Sequence, residues 1–232
     1  MITILQDVND PSFMDVIMAA PVASFIFAIT IASSIWAFYN DNVYENMILH
    51  PYSIARGRRI YTLITSGLIH ADVMHLLFNM LSYYFFAFQL EAGNKALGFS
   101  GMGHWQFGVL YVVSLVLSDL PSVYKHRNDS WYHSLGASGA ISAVIFSFIM
   151  FNPITGRLGL IFLPGVAMPA IVFGVLYLFY CNYMSKHGRD NINHDAHFFG
   201  ALSGMLITVI MFPHSVHDFI TQVTGWIQSF SH

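Results

Sequence analysis

The chain has 232 residues, of which 56% are hydrophobic and 9% are charged, with a formal net charge of −3. Soluble domains carry about 25% charged residues, so the composition excludes an ordinary soluble domain and indicates a polytopic membrane protein. The sequence has no basic arm, glycine-rich phosphate loop or platform of aromatic and arginine residues, so we expect no nucleic-acid partner.

Long apolar blocks predict six membrane-spanning helices. Residues 19–39 carry no charge over 21 positions, about the length that crosses a ~30 Å hydrocarbon core, and in lipid only helices or closed barrels satisfy the backbone. The predicted spans are 19–39, 72–90, 106–121, 136–152, 158–180 and 196–213, the third being short because it ends at Asp119 and Pro121. We therefore expect an all-α fold, a six-transmembrane-helix bundle.

The segments outside these spans are short. Residues 1–18 form an N-terminal segment that lacks the basic flank of a cleavable signal peptide, so the first span is expected to be retained. The half-apolar connection between the first two spans predicts short helices lying in the membrane interface. Residues 214–232 have Phe219, Val223 and Ile227 at helical spacing, which predicts an amphipathic tail on the membrane surface, a disordered end being the alternative.

Polar side chains inside a span are costly and are candidates for function. In the second predicted span, His75 and Asn79 are four residues apart and therefore share one helix face. Asp72 stands at the position of an N-cap, and His70 lies just outside the span. The alternative role of this pair is hydrogen bonding that holds neighbouring helices together.

Ser138 lies between glycines at the start of the fourth predicted span, in the sequence Gly136-Ala137-Ser138-Gly139. Glycine permits a tight turn and a close backbone approach, and it leaves the N–H groups at the helix start uncovered, where they favour an anion. A hydroxyl nucleophile beside such donors is what acyl transfer requires. An isolated serine in a membrane helix is otherwise a packing residue.

The sixth predicted span places a histidine on a face of small residues. His197, Gly200, Ala201 and Gly204 fall at i, i+3, i+4 and i+7, so another helix can approach closely along this seam. A partner helix that carries Ser138 would bring its hydroxyl within reach of the imidazole. Asp195 is a poor orienting group for His197 because residues two apart do not face each other, so we expect a dyad. The alternative is a packing seam alone.

A metal site has less support. Cys181 is the single cysteine, which excludes an intramolecular disulfide and a site of several cysteines. His194 and His197, like His70 and His75, could supply ligands, but no HExxH motif occurs and no glutamate lies among these histidines. We therefore expect no metal and no other cofactor.

Together these motifs resemble the rhomboid family of intramembrane serine proteases. The features that carry the resemblance are His70, His75 and Asn79, then the Gly-x-Ser-Gly around Ser138, then Ala-His-x-x-Gly from Ala196 to Gly200, in the family's order; Glu91 also resembles an acidic residue of the family. The resemblance covers about residues 55–213. It implies a six-helix bundle with a water-filled cavity, and we expect a rhomboid-like six-helix membrane domain over residues 19–213, with an interfacial loop between spans one and two.

The resemblance also implies roles for these residues. Ser138 is the expected nucleophile and His197 the general base. His75, Asn79 and the Ser138 N–H are the expected oxyanion donors, and supporting residues are Gly136, Gly139, Gly200, Gly204 and His70. The expected partners are transmembrane protein substrates with helix-weakening residues, together with membrane lipids.

Three positions depart from the family pattern. Tyr61 and Thr62 stand where members commonly have Trp-Arg, and Ser142 stands where some have a tyrosine stacked on the catalytic histidine. We expect Tyr111 or another ring to orient His197, and a bond between Ser142 and His197 is the alternative.

The charges and the resemblance disagree on orientation. Seven of the nine Lys and Arg residues lie in the odd-numbered loops, which by the positive-inside rule would face the cytoplasm. The resemblance to bacterial members places those loops outside. We follow the resemblance, and we expect a multi-pass protein of the bacterial inner membrane. The functional alternatives are a catalytically silent relative that binds transmembrane helices, a small transporter and a membrane metalloprotease.

Overall fold

A computed structural model describes residues 13–159, 167–188, 190 and 192–230, so residues 1–12 of the predicted N-terminal segment lie outside it. The described residues are mainly helical. The helices are α1 (Phe13–Ala19), α2 (Pro21–Phe38), α3 (Asp41–Met47), α4 (Pro51–Ile54), α5 (Thr62–Thr65), α6 (Val73–Ala92), α7 (His104–Lys125), α8 (Ser138–Phe151), α9 (Ala170–His187), α10 (His194–Met211) and α11 (His214–Gln228). Short 3₁₀ turns cover Ser66–Leu68 and Lys95–Leu97.

Within the described residues, four helices are long and apolar enough to cross a membrane, namely α2, α6, α7 and α10. They coincide with the first, second, third and sixth predicted spans. The fourth predicted span is the apolar helix α8, which has 14 residues, and the fifth overlaps α9, which has 18.

The third predicted span is longer than expected. Helix α7 has 22 residues and continues through Pro121 to Lys125, so the prediction that Asp119 and Pro121 end it is wrong. Proline is tolerated in a membrane helix where neighbouring groups compensate for its missing N–H. Ser118, three residues before Pro121, and Ser122, the residue after it, are both buried, so this part of α7 lies inside the bundle.

The fifth predicted span starts too early. Strand β1 (Arg157–Gly159) pairs antiparallel with β2 (Ala167–Pro169), with Leu158 opposite Met168, and the helix begins only at Ala170. Residues 160–166 of the predicted span lie outside the described residues. The all-α expectation is therefore wrong for this hairpin, because apolar periodicity alone does not separate a short strand from a helical turn.

The connection between α2 and α6 contains the predicted short helices. Asn40 begins α3 as its N-cap, with its side-chain oxygen accepting from the Val43 N–H at 3.1 Å. At the end of α3 the chain turns inward, and the Leu49 N–H donates to the Ser134 carbonyl at 2.9 Å. This bridge ties the connection to the segment that leads into α8.

Helix α8 occupies the centre of the bundle. It is apolar on every side, as expected of a helix that neighbours enclose, and the residues from Gly139 to Val144 are all buried. Its neighbours are α6, α7, α9, α10 and α11. Residues at its N-terminus are thus positioned by several elements at once.

The closest approach is between α8 and α10. A Cβ on Gly200 would overlap the backbone carbonyl of Gly139, and one on Gly204 would overlap the carbonyl of Ala143. One turn further along, Thr208 Oγ1 donates to Ser147 Oγ at 2.6 Å. The predicted small-residue seam is therefore present, and its partner is the helix that begins with Ser138.

Glu91, near the C-terminal end of α6, contacts the N-terminal residues of α2 and α7. Its buried carboxylate accepts from the N–H groups of Val22 at 3.1 Å and Ala23 at 2.6 Å, so it caps the N-terminus of α2, where a negative charge is favoured. His104, the first residue of α7, approaches the same carboxylate at 2.6 Å through Nδ1. Glu91 therefore fixes α2 and α7 relative to the end of α6.

The predicted C-terminal tail contains helix α11, which packs on α8. Gln222 Nε2 donates to the Phe151 carbonyl at 3.1 Å, which satisfies one of the free carbonyls at the end of α8. Phe219 packs against the main apolar core.

We predict that Gly204→Ala destabilises the bundle by about 1–3 kcal/mol, because the added methyl group forces α10 away from the backbone of α8. Thermal denaturation in detergent measures the change. Gly225→Ala is the matched control, since a Cβ there meets nothing within 4 Å. Equal melting temperatures for the two variants would show that the helices are not held at this separation.

Candidate active site

The turn that leads into α8 requires glycine at position 136. Gly136 has φ +113°, a conformation that other residues rarely adopt. A Cβ there would lie 2.9 Å from the His75 Nε2 atom. Glycine therefore allows both the turn and the approach of the His75 ring to the N-terminus of α8.

His70 connects this turn to helix α2. Its Nδ1 lies 3.0 Å from Ser34 Oγ, and its Nε2 accepts from the Ala137 N–H at 3.5 Å. Burial of the ring lowers the pKa of His70 to about 3, with a smaller contribution from His75. A neutral ring with its proton on Nδ1 donates to Ser34 and accepts from Ala137, so it links α2 to the residue before Ser138.

Ser138 and His197 are in direct contact. His197 Nε2 lies 2.7 Å from Ser138 Oγ, and both residues are half-buried. Since Ser138 is the first residue of α8, the N–H groups around it have no partner within the helix. A hydroxyl, an imidazole and free backbone donors therefore converge on one point.

His75 and Asn79 lie on the facing helix α6. The predicted N-cap is present, with Asp72 Oδ1 accepting from the His75 N–H at 2.8 Å. The Ala71 N–H points to His75 Nδ1 at 3.4 Å, which leaves the proton of the neutral ring on Nε2, the atom beside Gly136. Asn79 Nδ2 donates to the His75 carbonyl at 2.9 Å, and its second N–H remains for another acceptor.

The ring beside His197 is Tyr177 of α9. The two rings are nearly parallel, at 16°, with centroids 6.4 Å apart, and the Tyr177 hydroxyl lies 2.7 Å from Ser142 Oγ. The expectation for Tyr111 is wrong, because that ring packs edge-on against Tyr83 with centroids 5.6 Å apart. The alternative of a bond between Ser142 and His197 is also wrong, because Ser142 Oγ instead donates to the Ser138 carbonyl at 2.8 Å.

Asn193 is a positioning residue that the sequence analysis missed. As the N-cap of α10 it accepts from the Ala196 N–H at 3.0 Å, and the same oxygen accepts from Ser122 Oγ of α7 at 3.0 Å. Its Nδ2 donates to Ser134 Oγ at 3.2 Å. An asparagine just before a helix is an N-cap signal, but the two serine contacts could not be found from spacing.

Asp195 turns away from the imidazole, as expected. Its carboxylate accepts from Lys125 Nζ at 2.7 Å and also from Ser185 Oγ. These contacts join α10 to α7 and α9. The contacts described for His197 thus include no carboxylate of its own helix.

Comparisons with known proteins agree on one family. Residues 57–214 match the family described as "Rhomboid domain". The chain is 26% identical over 213 residues to "Putative rhomboid protease YdcA" of Bacillus subtilis (strain 168), covering 88% of this chain and 94% of that protein. It is also 26% identical over 173 residues to "RHOMBOID-like protein 12, mitochondrial" of Arabidopsis thaliana, covering 72% of this chain and 51% of that protein, so it spans about half the length of the plant protein.

We predict that acid destabilises the fold through His70. Its pKa is about 3 in the folded chain and about 6.5 when exposed, so between these values the unfolded chain binds a proton that the folded chain does not. The free energy of unfolding therefore falls as the pH drops below 6.5, by up to about 1.4 kcal/mol per pH unit from this group. Melting temperatures at pH 7 and pH 5 should differ more for the wild type than for His70→Gln; an equal loss would contradict a buried neutral ring.

Proposed function

The chain belongs to the rhomboid family, and we propose on that premise that it is an intramembrane serine endopeptidase that cleaves transmembrane segments of membrane proteins. The observation that carries this proposal is the 2.7 Å contact between Ser138 Oγ and His197 Nε2. A packing seam alone does not require a hydroxyl and an imidazole to meet at a helix N-terminus.

In the first step His197 Nε2 accepts the proton of Ser138 Oγ while the oxygen attacks the scissile carbonyl carbon. The imidazolium then gives this proton to the leaving amine, and an acyl-enzyme remains on Ser138. A water molecule then attacks the ester with His197 again as the base, and the imidazolium returns the proton to Ser138 Oγ as the new carboxyl product leaves. The acid, base and nucleophile all come from the chain, so the cycle needs no metal and no cofactor.

The negative charge that develops on the carbonyl oxygen requires preorganised donors. We assign this role to the Ser138 N–H, His75 Nε2–H and the second amide N–H of Asn79. The tautomer of His75 supports this, because the Ala71 N–H occupies its Nδ1 and directs the proton to Nε2. One such side-chain donor contributes roughly 3 kcal/mol to transition-state stabilisation.

The length of α8 supports a reaction below the membrane surface. Its 14 residues extend about 21 Å, which is less than the ~30 Å hydrocarbon core. If Phe151 lies at one interface, Ser138 lies several ångströms below the other, where the half-buried dyad can meet a membrane-embedded substrate. A transmembrane helix shields its own amide bonds, so we expect substrates with helix-weakening residues near the cleaved bond.

We further propose that α8 and α9 complete a six-span domain over residues 19–213, with α11 lying on the membrane surface. Exposed apolar side chains on α9, such as Leu176, Phe179 and Tyr183, support a lipid-facing position. In this arrangement lipids and transmembrane substrates are the partners. The family resemblance favours the bacterial inner membrane with the site opening outward.

We predict that the purified protein in detergent cleaves a transmembrane-segment reporter. Ser138→Ala and His197→Ala should each lower the rate by roughly 10⁴-fold or more, since either removes a reacting group. Asn79→Ala should cost about 10²- to 10³-fold. Gel analysis of reporter cleavage measures these rates, and a chelator should not reduce them.

The controls are Ser100→Ala and His217→Ala, which change exposed residues outside the site and should retain wild-type cleavage. A correctly folded wild type that binds the reporter without cutting it would instead indicate a silent relative that binds helices. Cleavage that survives Ser138→Ala and stops with a chelator would indicate a metalloprotease.

We also predict that Tyr177 positions His197. Tyr177→Leu removes the parallel ring and should lower kcat by roughly 10- to 100-fold with little change in KM, because the base is then held loosely. Tyr177→Phe keeps the ring and loses the hydroxyl that contacts Ser142, so it should retain most of kcat and the wild-type pH profile. Equal losses in both variants would assign the effect to the hydroxyl.

A further inference from the structure

Three potential metal ligands lie close together on α9 and α10, and one of them is His197 of the proposed dyad. Cys181 of α9 and His194 and His197 of α10 each direct one ligand atom into a common space, and these atoms all lie within 4.8 Å of one another. Cys181 is fully buried, and His194 is 4% exposed. The residues come from two helices, so the cluster exists only in the folded chain.

The hydrogen bonds of His194 leave one nitrogen bare. Its Nε2 donates to the carboxylate of Asp190, at 3.1 Å to Oδ1 and 3.2 Å to Oδ2. Its Nδ1 is buried and has no hydrogen-bond partner among the described residues, which is costly for a polar atom. In metal sites a carboxylate commonly holds the distal nitrogen of a ligand histidine in this way, so that the other nitrogen presents its lone pair.

The donor set selects the class of ion. One thiolate and two imidazoles suit zinc and similar borderline-soft divalent ions, whereas Mg²⁺ and Ca²⁺ prefer oxygen ligands. A tetrahedral zinc site with bonds of about 2.3 Å to sulfur and 2.0–2.1 Å to nitrogen places its ligand atoms about 3.3–3.6 Å apart. The atoms therefore need to close by little more than 1 Å, and a water molecule completes the site.

We propose that Cys181, His194 and His197 bind one zinc-class divalent cation, and that this binding switches the protease off by withdrawing His197 from Ser138. Binding converts the Cys181 thiol to a thiolate and releases its proton to solvent. A pocket lined in part by Met184, Asp190 and His194 adjoins the cluster and provides a route for the ion. A bound cation departs from the expectation of no metal, and its role here is inhibitory, not catalytic.

Either nitrogen of His197 leads to the same outcome. If the cation takes Nε2, it displaces the Ser138 hydroxyl, which now lies 2.7 Å away. If it takes Nδ1, the proton of the neutral ring resides on Nε2, which then cannot accept the proton of Ser138. The inhibitory half of the proposal rests on the proposed function, whereas the binding half does not.

Cobalt(II) tests the binding half. Titration of the metal-free full chain in detergent should give a saturable 1:1 complex with thiolate-to-cobalt charge-transfer absorption and tetrahedral visible bands, and zinc should displace it while Mg²⁺ should not. Cys181→Ala should remove the charge-transfer band, and Asp190→Asn should weaken binding about 10-fold. His187→Asn, a change at an exposed histidine of the same helix, should bind as the wild type does.

Ser138→Ala separates the two halves, because it should keep the cobalt spectrum although it removes the nucleophile. Absence of saturable binding, or an unchanged band in Cys181→Ala, overturns the metal site. To test inhibition, the rate of reporter cleavage is measured with and without equimolar zinc. In the wild type, zinc should lower the rate at least about 10-fold, and a chelator should restore it. In Cys181→Ala, the two rates should be nearly equal.

Cleavage that is unaffected while the site is saturated overturns inhibition but not binding. A protein that gives the cobalt spectrum when titrated, but cleaves no reporter when metal-free, contradicts the proposed function. The inhibitory half of the proposal is then wrong as well.

Discussion

The contact between the backbones of α8 and α10 is the constraint on which the rest of the structure depends. Gly200 and Gly204 face the Gly139 and Ala143 carbonyls with no room for a methyl group, so the two helix axes lie closer than ordinary side chains allow. At this separation a short serine side chain at the start of one helix reaches an imidazole on the other. With larger residues in the seam, the same two functional groups would be separated by a packed layer.

The segment that leads into the N-terminus of α8 is held by hydrogen bonds from residues that precede α6 and α10. His70 supports the turn from the loop side, and Asn193 ties the start of α10 to the segment before Ser138. Each contact is a hydrogen bond between buried or half-buried groups, where an unmade bond is costly. These hydrogen bonds position the proposed site residues within the fold itself, and this kind of preorganisation favours charge stabilisation in a transition state.

The surroundings of His197 suggest how one side chain could serve two purposes. On one side it contacts Ser138, and on the other it meets His194 edge-on, with ring centroids 5.9 Å apart. A general base must present a lone pair, and a lone pair is also what a metal ion binds. In the proposed inhibition, a cation held by Cys181 and His194 competes with Ser138 for His197.

The helical membrane class, the family and the residues of the proposed dyad are evident in the amino-acid sequence, because apolar length, the glycines around Ser138 and the small-residue face of His197 are local patterns. The sequence did not determine the hairpin before α9 or the continuation of α7 through Pro121, since both depend on neighbouring elements rather than on periodicity. The contact of Tyr177 with His197, the serine contacts of Asn193 and the grouping of Cys181 with His194 emerge only from the folded chain. These residues lie on different helices or at helix ends, and only the packing of α9 and α10 around α8 brings their side chains to one place.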